Sequence, residues 1–247
     1  MERYKKFEDA LTAGSRIVFF GGAGVSTESG IPDFRSKTGL YNAKENYGAS
    51  PEELLSIGFF RRDPAAFYKY YRENLIHTGA LPNAAHKALA KLESMGRLLA
   101  VVTQNIDGLH QAAGSKNVLE LHGSVTKNYC TRCGGKYPLD YILDKSNDKN
   151  GAPACNKCGG LVRPDVVLYG ELLDNETVAK AVAAIRAADM LIVGGTSLAV
   201  YPAAGLVDHF SGKTLALINK TATDRDSRAD IVIHDALGRV LGAVVGV

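Results

Sequence analysis

Arg16-Ile17-Val18-Phe19-Phe20 followed at once by Gly21-Gly22-Ala23-Gly24-Val25-Ser26-Thr27 decides the fold: a short apolar run ends directly in a glycine loop. Glycines there let the backbone approach a pyrophosphate closely, and a helix starting near Ser26 or Thr27 would offer its N–H groups and dipole to an anion. A dinucleotide is the natural ligand of such a turn. The dehydrogenase fingerprint is nevertheless incomplete. Gly22-x-Gly24-x-x-Thr27 lacks the third glycine, and residues 36–50 read as a loop where a second strand carrying a ribose-binding acid should stand. Chemistry other than hydride transfer is therefore expected.

Outward from this turn, apolar runs at 98–103, 117–121, 165–169, 190–193, 214–218 and 230–234 alternate with helical patterns at 83–94, 174–188 and 202–210. Alternating strand and helix predicts an α/β fold built on a doubly wound parallel sheet. Two stretches interrupt it. Residues 36–80 read as a helical insertion, with a helix over 63–76 and Pro64 in its first turn. Phe67, Tyr68, Tyr70 and Tyr71 fall there at helical spacing and read as core. Residues 126–160 are rich in Cys, Gly, Asn, Lys and Asp and too poor in large apolar residues to build a core, so something other than burial must hold them; 144–151 reads as a mobile loop. The expected division is a dinucleotide-binding domain from 1–37, 81–125 and 161–247. The helical insertion 38–80 and the module 126–160 interrupt it.

Composition narrows the function classes. The 247 residues are 46% hydrophobic and 22% charged, an ordinary globular balance, and the net charge of +3 compels no nucleic-acid partner. No apolar run approaches the roughly 20 residues that span a bilayer, and the charged N-terminus does not read as a signal peptide. A monomer with no membrane or nucleic-acid partner is expected. All four cysteines lie between Cys130 and Cys158, as Cys130-x2-Cys133 and Cys155-x2-Cys158 with glycines beside each pair. Two such knuckles fill a tetrahedral Zn²⁺ shell with thiolates and leave no place for an activated water, so one structural zinc per chain is expected. Metal-binding energy then serves as folding energy. A reducing cytoplasm suits thiols used this way.

The polar residues that follow the predicted strands carry the functional signal. Gln104, Asn105 and Asp107 follow the second, His122-Gly123 the third, Gly194-Gly195-Thr196-Ser197 the fifth and Asn219 the sixth. In an open parallel sheet these carboxyl ends form one edge where ligands bind. His122 is the proton handler, beside a glycine expected to leave room for substrate. Asn105 and Asp107 would orient a ligand amide or a water, with Asp107 also capping a helix over 106–113. His86 and His110, on helical patterns, read as packing residues, and His77, His209 and His234 likewise.

Taken in order, Gly22-Ala23-Gly24-Val25-Ser26-Thr27-Glu28-Ser29-Gly30-Ile31-Pro32-Asp33-Phe34-Arg35, Thr103-Gln104-Asn105-Ile106-Asp107, His122-Gly123, the four cysteines, Gly170-Glu171, Gly195-Thr196-Ser197-Leu198 and Val200-Tyr201-Pro202-Ala203-Ala204 resemble the sirtuin family of NAD-dependent protein deacylases. The resemblance implies that the insertion 38–80 and the module 126–160 form one smaller domain, and that NAD lies between the Rossmann-like and this zinc-plus-helical domain. It implies NAD contacts from Ala23, Thr27, Asp33, Phe34, Arg35, Gln104, Ile106, Asp107, Thr196, Ser197, Asn219 and, over adenine, Asp235. Acetylated protein or peptide substrates would enter as an extended strand between Val167, Tyr169, Gly170 and Glu171 on one side and Leu198 and Val200 on the other. The implied reaction has the acyl oxygen attack the nicotinamide ribose. His122 then serves as general base, with Asn105 and Asp107 in the nicotinamide pocket, and lysine, nicotinamide and O-acetyl-ADP-ribose are released. Family members that prefer acidic acyl groups resemble one another in a tyrosine followed three residues later by an arginine. Here Tyr68 is followed at that spacing by Tyr71, and Arg72 lies a further rotation of about 100° round the helix. Neutral acyl groups, acetyl first, are expected. The alternatives are a mono-ADP-ribosyltransferase using the same cleft and a non-enzymatic NAD-sensing or zinc-ribbon binding module, with a dehydrogenase last.

Overall fold

The computed structural model describes residues 4–14, 16–33 and 47–247. Its strands are β1 (Ile17–Gly21), β2 (Leu98–Thr103), β3 (Val118–Glu120), β4 (Gly123–Cys130), β5 (Lys136–Pro138), β6 (Asp148–Lys149), β7 (Ala152–Pro153), β8 (Val162–Val166), β9 (Met190–Gly194), β10 (Thr214–Asn219) and β11 (Ile231–His234). Every residue of β1 is buried, which fits a strand covered on both faces. Ile17 and Phe19 pack with Phe7, Leu89, Leu92, Val240 and Leu241 on one face, and Val18 and Phe20 with Ile185, Leu206 and Val207 on the other. That alternation is the period of a strand written into a continuously apolar sequence.

β1 pairs in parallel with β2 and β9, and the main sheet runs β11-β10-β9-β1-β2-β3. The chain winds outward from β1 to β3, returns to β9 on the other side and winds outward again. This is the Rossmann strand order, with its switch point between β1 and β9, as the alternation predicted. The helices Ala84–Ser94 and Asn175–Ala187 appear where expected, each started by a side-chain cap: Asn83 accepts from the Ala85 N–H and Asp174 from the Thr177 N–H. Over 203–209 the chain forms a 3₁₀ segment.

One predicted strand belongs elsewhere. The run at 165–169 does not join the parallel sheet; β8 pairs antiparallel with β4 in a three-stranded sheet, β5-β4-β8. An apolar run reports burial, not which sheet buries it. The burial comes from a second core in which Val125, Val162 and Val166 meet Phe60, Phe67, Tyr68 and Tyr71 of the insertion, together with Tyr137 and Ile142 of the cysteine-bearing segment. The aromatic helix Pro64–Asn74 is thus core, and 126–160, expected to lack burial, shares the core of its neighbour. The segment 144–151, expected as a loop, opens a short hairpin tied to the insertion. The Arg72 guanidinium forks onto Asp148 at 2.8 and 2.6 Å and donates to the Ile142 carbonyl at 2.8 Å, and β6 and β7 pair as a hairpin.

Candidate active site

After β1 the chain makes two 3₁₀ turns, Ala23–Val25 and Thr27–Ser29, closed by Gly30 at φ +82°. The helix expected from Ser26 or Thr27 does not form: the Ser29 N–H returns to the Ser26 carbonyl at 3.0 Å and the Gly30 N–H to the Thr27 carbonyl at 3.1 Å, tight three-residue bonds, and left-handed Gly30 with the Ile31 N–H on the Ser26 carbonyl at 3.2 Å ends the segment. The loop therefore offers a ligand its own peptide groups and no long helix dipole. Gly24 donates its N–H to the Gly195 carbonyl at 2.8 Å, and a Cβ on Gly24 would stand 2.8 Å from Gly195 Cα. Gly195 sits at φ +61° with its own Cβ position blocked by the Val25 N–H. Two glycines are needed here because two backbones touch, joining the loops after β1 and β9 across the switch point.

The end of β2 supplies a polar chain. Thr103 Oγ1 accepts from the Asn105 N–H at 3.0 Å, Asn105 Nδ2 donates to Ser26 Oγ at 3.0 Å, and Ser26 Oγ donates to Asp107 Oδ2 at 2.6 Å. Asp107 Oδ1 accepts from the Leu109 N–H at 2.9 Å, so the carboxylate caps Leu109–Ala112 while it faces Ser26. The helix expected over 106–113 shortens to that single turn behind Gly108, which is left-handed at φ +76°. Ser26 was not singled out from the sequence. Its position in a glycine loop reads as a helix start, and its bridging role depends on residues some eighty positions away.

His122 lies between β3 and β4 with Nδ1 2.9 Å from the Gln104 carbonyl oxygen. That oxygen only accepts, so Nδ1 carries the proton and Nε2 presents its lone pair. Burial pushes the imidazole below the usual histidine range, against the opposing pull of the Gln104 carbonyl, and the ring is neutral at pH 7. Gln104 is fixed in turn: its N–H donates to the Gly21 carbonyl at 3.0 Å and its Nε2 to Thr196 Oγ1 at 3.1 Å. Asn219 clasps Thr196 at two points, Oδ1 accepting its N–H at 3.0 Å and Nδ2 donating to its carbonyl at 2.9 Å. Gly123 has a different purpose from the one expected. At φ +76°, a Cβ there would collide with the Asp165 carbonyl oxygen, so the glycine serves the close pairing of β4 with β8 and not room for substrate.

The two segments expected to hold a peptide flank this edge. Val167 donates its N–H to the His122 carbonyl at 2.9 Å, while Tyr169 exchanges backbone bonds of 3.0 Å each with Leu55 and Ile57 of the insertion. Glu171 receives the Arg163 guanidinium at 2.7 and 2.8 Å and the Leu168 N–H at 2.9 Å; Arg163 holds this carboxyl below the usual range. The side chain of Glu171 is thus committed within the fold, next to Gly170. Leu198, left-handed at φ +54° and buried, and Val200 stand on the opposite loop.

Ala23, Thr27, Asp33, Ser197 and Ile106 sit on the same loops; Thr27 Oγ1 donates to the Gly24 carbonyl at 3.0 Å and the Ile106 carbonyl accepts from Val125 at 2.9 Å. Phe34 and Arg35 lie outside the described residues. The Asp235 carboxylate takes hydrogen bonds from Tyr4 Oη and the Ala236 N–H at 2.7 Å each and from Arg239 at 3.2 Å, so it ties the chain's first helix to its last. His86 and His110 are buried with ring centroids 4.7 Å apart, as packing residues should be.

The four cysteine sulfurs all lie within 4.8 Å of one another, with Cys130 Sγ 3.5 Å from Cys158 and Cys133 Sγ 3.6 Å from Cys155. A disulfide needs about 2.05 Å, whereas sulfurs about 2.3 Å from a central zinc stand roughly 3.8 Å apart. The quartet therefore fits a tetrahedral zinc ion. Tyr137 Oη donates to Cys155 Sγ at 2.9 Å and holds that thiol down at about 6.

The Sir2 family model matches residues 22–202 of the chain. An NAD-dependent protein deacetylase of Clostridium perfringens is 56% identical over 245 residues, 99% of both chains, and one of Clostridium acetobutylicum 54% identical over the same coverage. The corresponding protein of Staphylococcus aureus is 45% identical over 95% of each. Among solved structures, a Sir2 complex with a peptide and NAD+ superposes with a TM-score of 0.86 at 38% identity, covering 98% of this chain and 97% of the other. Sir2 bound to an acetylated peptide gives 0.85 at 37% identity with the same coverage.

Proposed function

The chain belongs to the Sir2 family, and we propose that it is an NAD-dependent protein-lysine deacetylase that forms lysine, nicotinamide and O-acetyl-ADP-ribose. The observation that carries this reading is the convergence of the glycine loop, the Asn105–Ser26–Asp107 chain and a neutral His122 on one edge of the sheet, at its switch point.

NAD supplies a ribose carbon that becomes electrophilic as nicotinamide departs. Ala23, Thr27, Thr196, Ser197 and Asn219, with Asp33 and Gln104, are the residues we assign to the dinucleotide. Phe34, Arg35 and Asp235 keep this assignment from the family resemblance alone. Asn105, Ile106 and Asp107 would hold the carboxamide of nicotinamide, the amide and carboxylate being pre-oriented by Ser26. His122 Nε2 then takes a proton from a ribose hydroxyl, while the Gln104 carbonyl steadies the Nδ1–H and the positive charge that develops on the ring. A buried imidazole with a lowered pKa is unprotonated at neutral pH and ready for this step. The acetyl-lysine peptide would lie between Val167, Tyr169, Gly170 and Glu171 and the loop of Leu198 and Val200. Backbone pairing gives that binding mode tolerance of sequence. Arg72 is committed to Asp148, which favours neutral acyl groups.

Cys130, Cys133, Cys155 and Cys158 would hold a structural zinc, since four thiolates would complete its shell. We assign 38–80 and 126–160 to the smaller domain, supported by the core they share. Among the described residues no helix is long and apolar enough to cross a membrane. A cytoplasmic monomer is the form we propose, the clustered thiols suiting a reducing setting.

The test is mass spectrometry of an acetyl-lysine peptide incubated with the protein, with and without NAD. Free lysine, nicotinamide and O-acetyl-ADP-ribose in equal amounts, only with NAD, are expected. An untouched peptide with NAD consumed, or ADP-ribose attached to protein, would overturn the reading in favour of an ADP-ribosyltransferase.

A further inference from the structure

The glycine loop is pinned on one side by the Gly195 carbonyl, and on its other side it is held by a residue no functional motif had marked. Asn83 is the N-cap of the helix Ala84–Ser94, its Oδ1 accepting the Ala85 N–H at 2.9 Å. The same amide turns its Nδ2 outward and donates to the Val25 carbonyl at 2.8 Å and to Ser29 Oγ at 3.0 Å. The amide orientation follows from its partners, because an N–H can only donate to Oδ1 and a carbonyl can only accept from Nδ2. His86 completes the arrangement by accepting the Asn83 N–H at Nδ1, 3.3 Å away. Val25 closes the first 3₁₀ turn and Ser29 the second, and Ser26, the bridge between Asn105 and Asp107, lies between them.

We propose that Asn83 is a positioning residue for the NAD-binding loop, its Nδ2 setting the path of residues 25–29 and through them the placement of Ser26 against Asn105 and Asp107. The proposal rests on the reading of this loop as the NAD site. A cap alone needs only the acceptor oxygen, and aspartate and serine cap as well as asparagine. The two donor bonds leave the helix and run to the loop, which a purely structural cap would not require.

Asn83→Asp separates the two roles, since it keeps the cap oxygen and removes both donors while placing a carboxylate against the Val25 carbonyl. Full-length wild type and variant are compared for thermal midpoint, KM for NAD and KM for acetyl-lysine peptide, with NAD affinity also measured directly by calorimetry. Losing the bond to the Val25 carbonyl and setting a carboxylate against it, while the Ser29 hydroxyl can turn to donate to the new side chain, is expected to raise both the NAD KM and the calorimetric Kd by about tenfold. The peptide KM stays near wild type, and the thermal midpoint falls only by the few degrees that one lost hydrogen bond accounts for. Ser29→Ala, which removes one acceptor and leaves the cap whole, should give a smaller shift in the same direction. An unchanged NAD affinity in both variants overturns the positioning role. Should Asn83→Asp melt early, Ser29→Ala decides alone, with unchanged NAD affinity again counting against the proposal. Wild type that binds NAD but fails to deacetylate would overturn the deacetylase reading instead, and the calorimetric comparison would still judge Asn83.

Discussion

His122 works only if one nitrogen is fixed and the other is free to accept, and a single backbone carbonyl achieves this. Gln104 holds Nδ1–H at 2.9 Å and is itself locked between Gly21 and Thr196, so the ring orientation is inherited from the ends of β1, β2 and β9. Burial lowers the pKa of the imidazole, which keeps the base form present into mildly acidic solution. The acid limb of kcat/KM for deacetylation should therefore fall below about pH 6.5, the ordinary histidine value. A limb centred at or above that value would mean that His122 is not the titrating base. His122, Asn105, Asp107 and Thr196 were legible because a polar residue after an apolar run is conspicuous in sequence. Ser26 and Asn83 were not, because each reads locally as a turn or cap residue and takes its partners from distant segments. Gly123 was legible as special but for the wrong reason, since its steric neighbour Asp165 lies on another strand.

Among the elements, the parallel strands could be read because covered strands are continuously apolar, and the long helices because their apolar residues recur at helical spacing. The antiparallel sheet was not readable. β4 carries Thr126, Lys127 and Asn128 among its apolar residues, and β8 contains Arg163, Pro164 and Asp165. Neither shows clean alternation, and what makes them strands is each other together with the aromatic helix Pro64–Asn74. The same contact explains why 126–160 is not held by metal alone. Tyr137 and Ile142 are buried in that shared core, and Arg72 clamps Asp148. Chelating the zinc should loosen the cysteine knuckles and lower the thermal midpoint while the parallel sheet persists. A structural zinc is worth on the order of 10 kcal/mol in modules without any core, and less is expected where aromatics share the burden. Circular dichroism and melting of the chelated protein, with activity followed in parallel, check this. Loss of activity with midpoint and spectrum unchanged would contradict a structural zinc and point to a catalytic one.

For the molecule as a whole, a buried imidazole pair is expected to contribute to its loss of stability in acid. His86 and His110 stack edge-on where the helix Ala84–Ser94 meets Leu109–Ala112, and burial pushes their pKa values down to about 4 and about 3. The folded state thus refuses protons that the unfolded chain accepts below about pH 6.5. Stability conferred by the neutral pair is complete above that value and declines as pH falls towards 4, by about 1.4 kcal/mol per pH unit for each histidine at most. Urea midpoints measured between pH 7 and pH 5 should fall, and the slope should lessen in His110→Leu. An identical slope in that variant would assign the acid sensitivity to other groups.

NAD-dependent deacetylation at this edge of the sheet requires His122 as its base if the geometry is to serve it. The most direct test is to measure turnover of acetyl-lysine peptide by His122→Ala beside its affinity for NAD and peptide. Both ligands should still bind while turnover falls by roughly 10² to 10⁴-fold, the loss associated with removing a general base. Turnover within a few-fold of wild type would contradict that role.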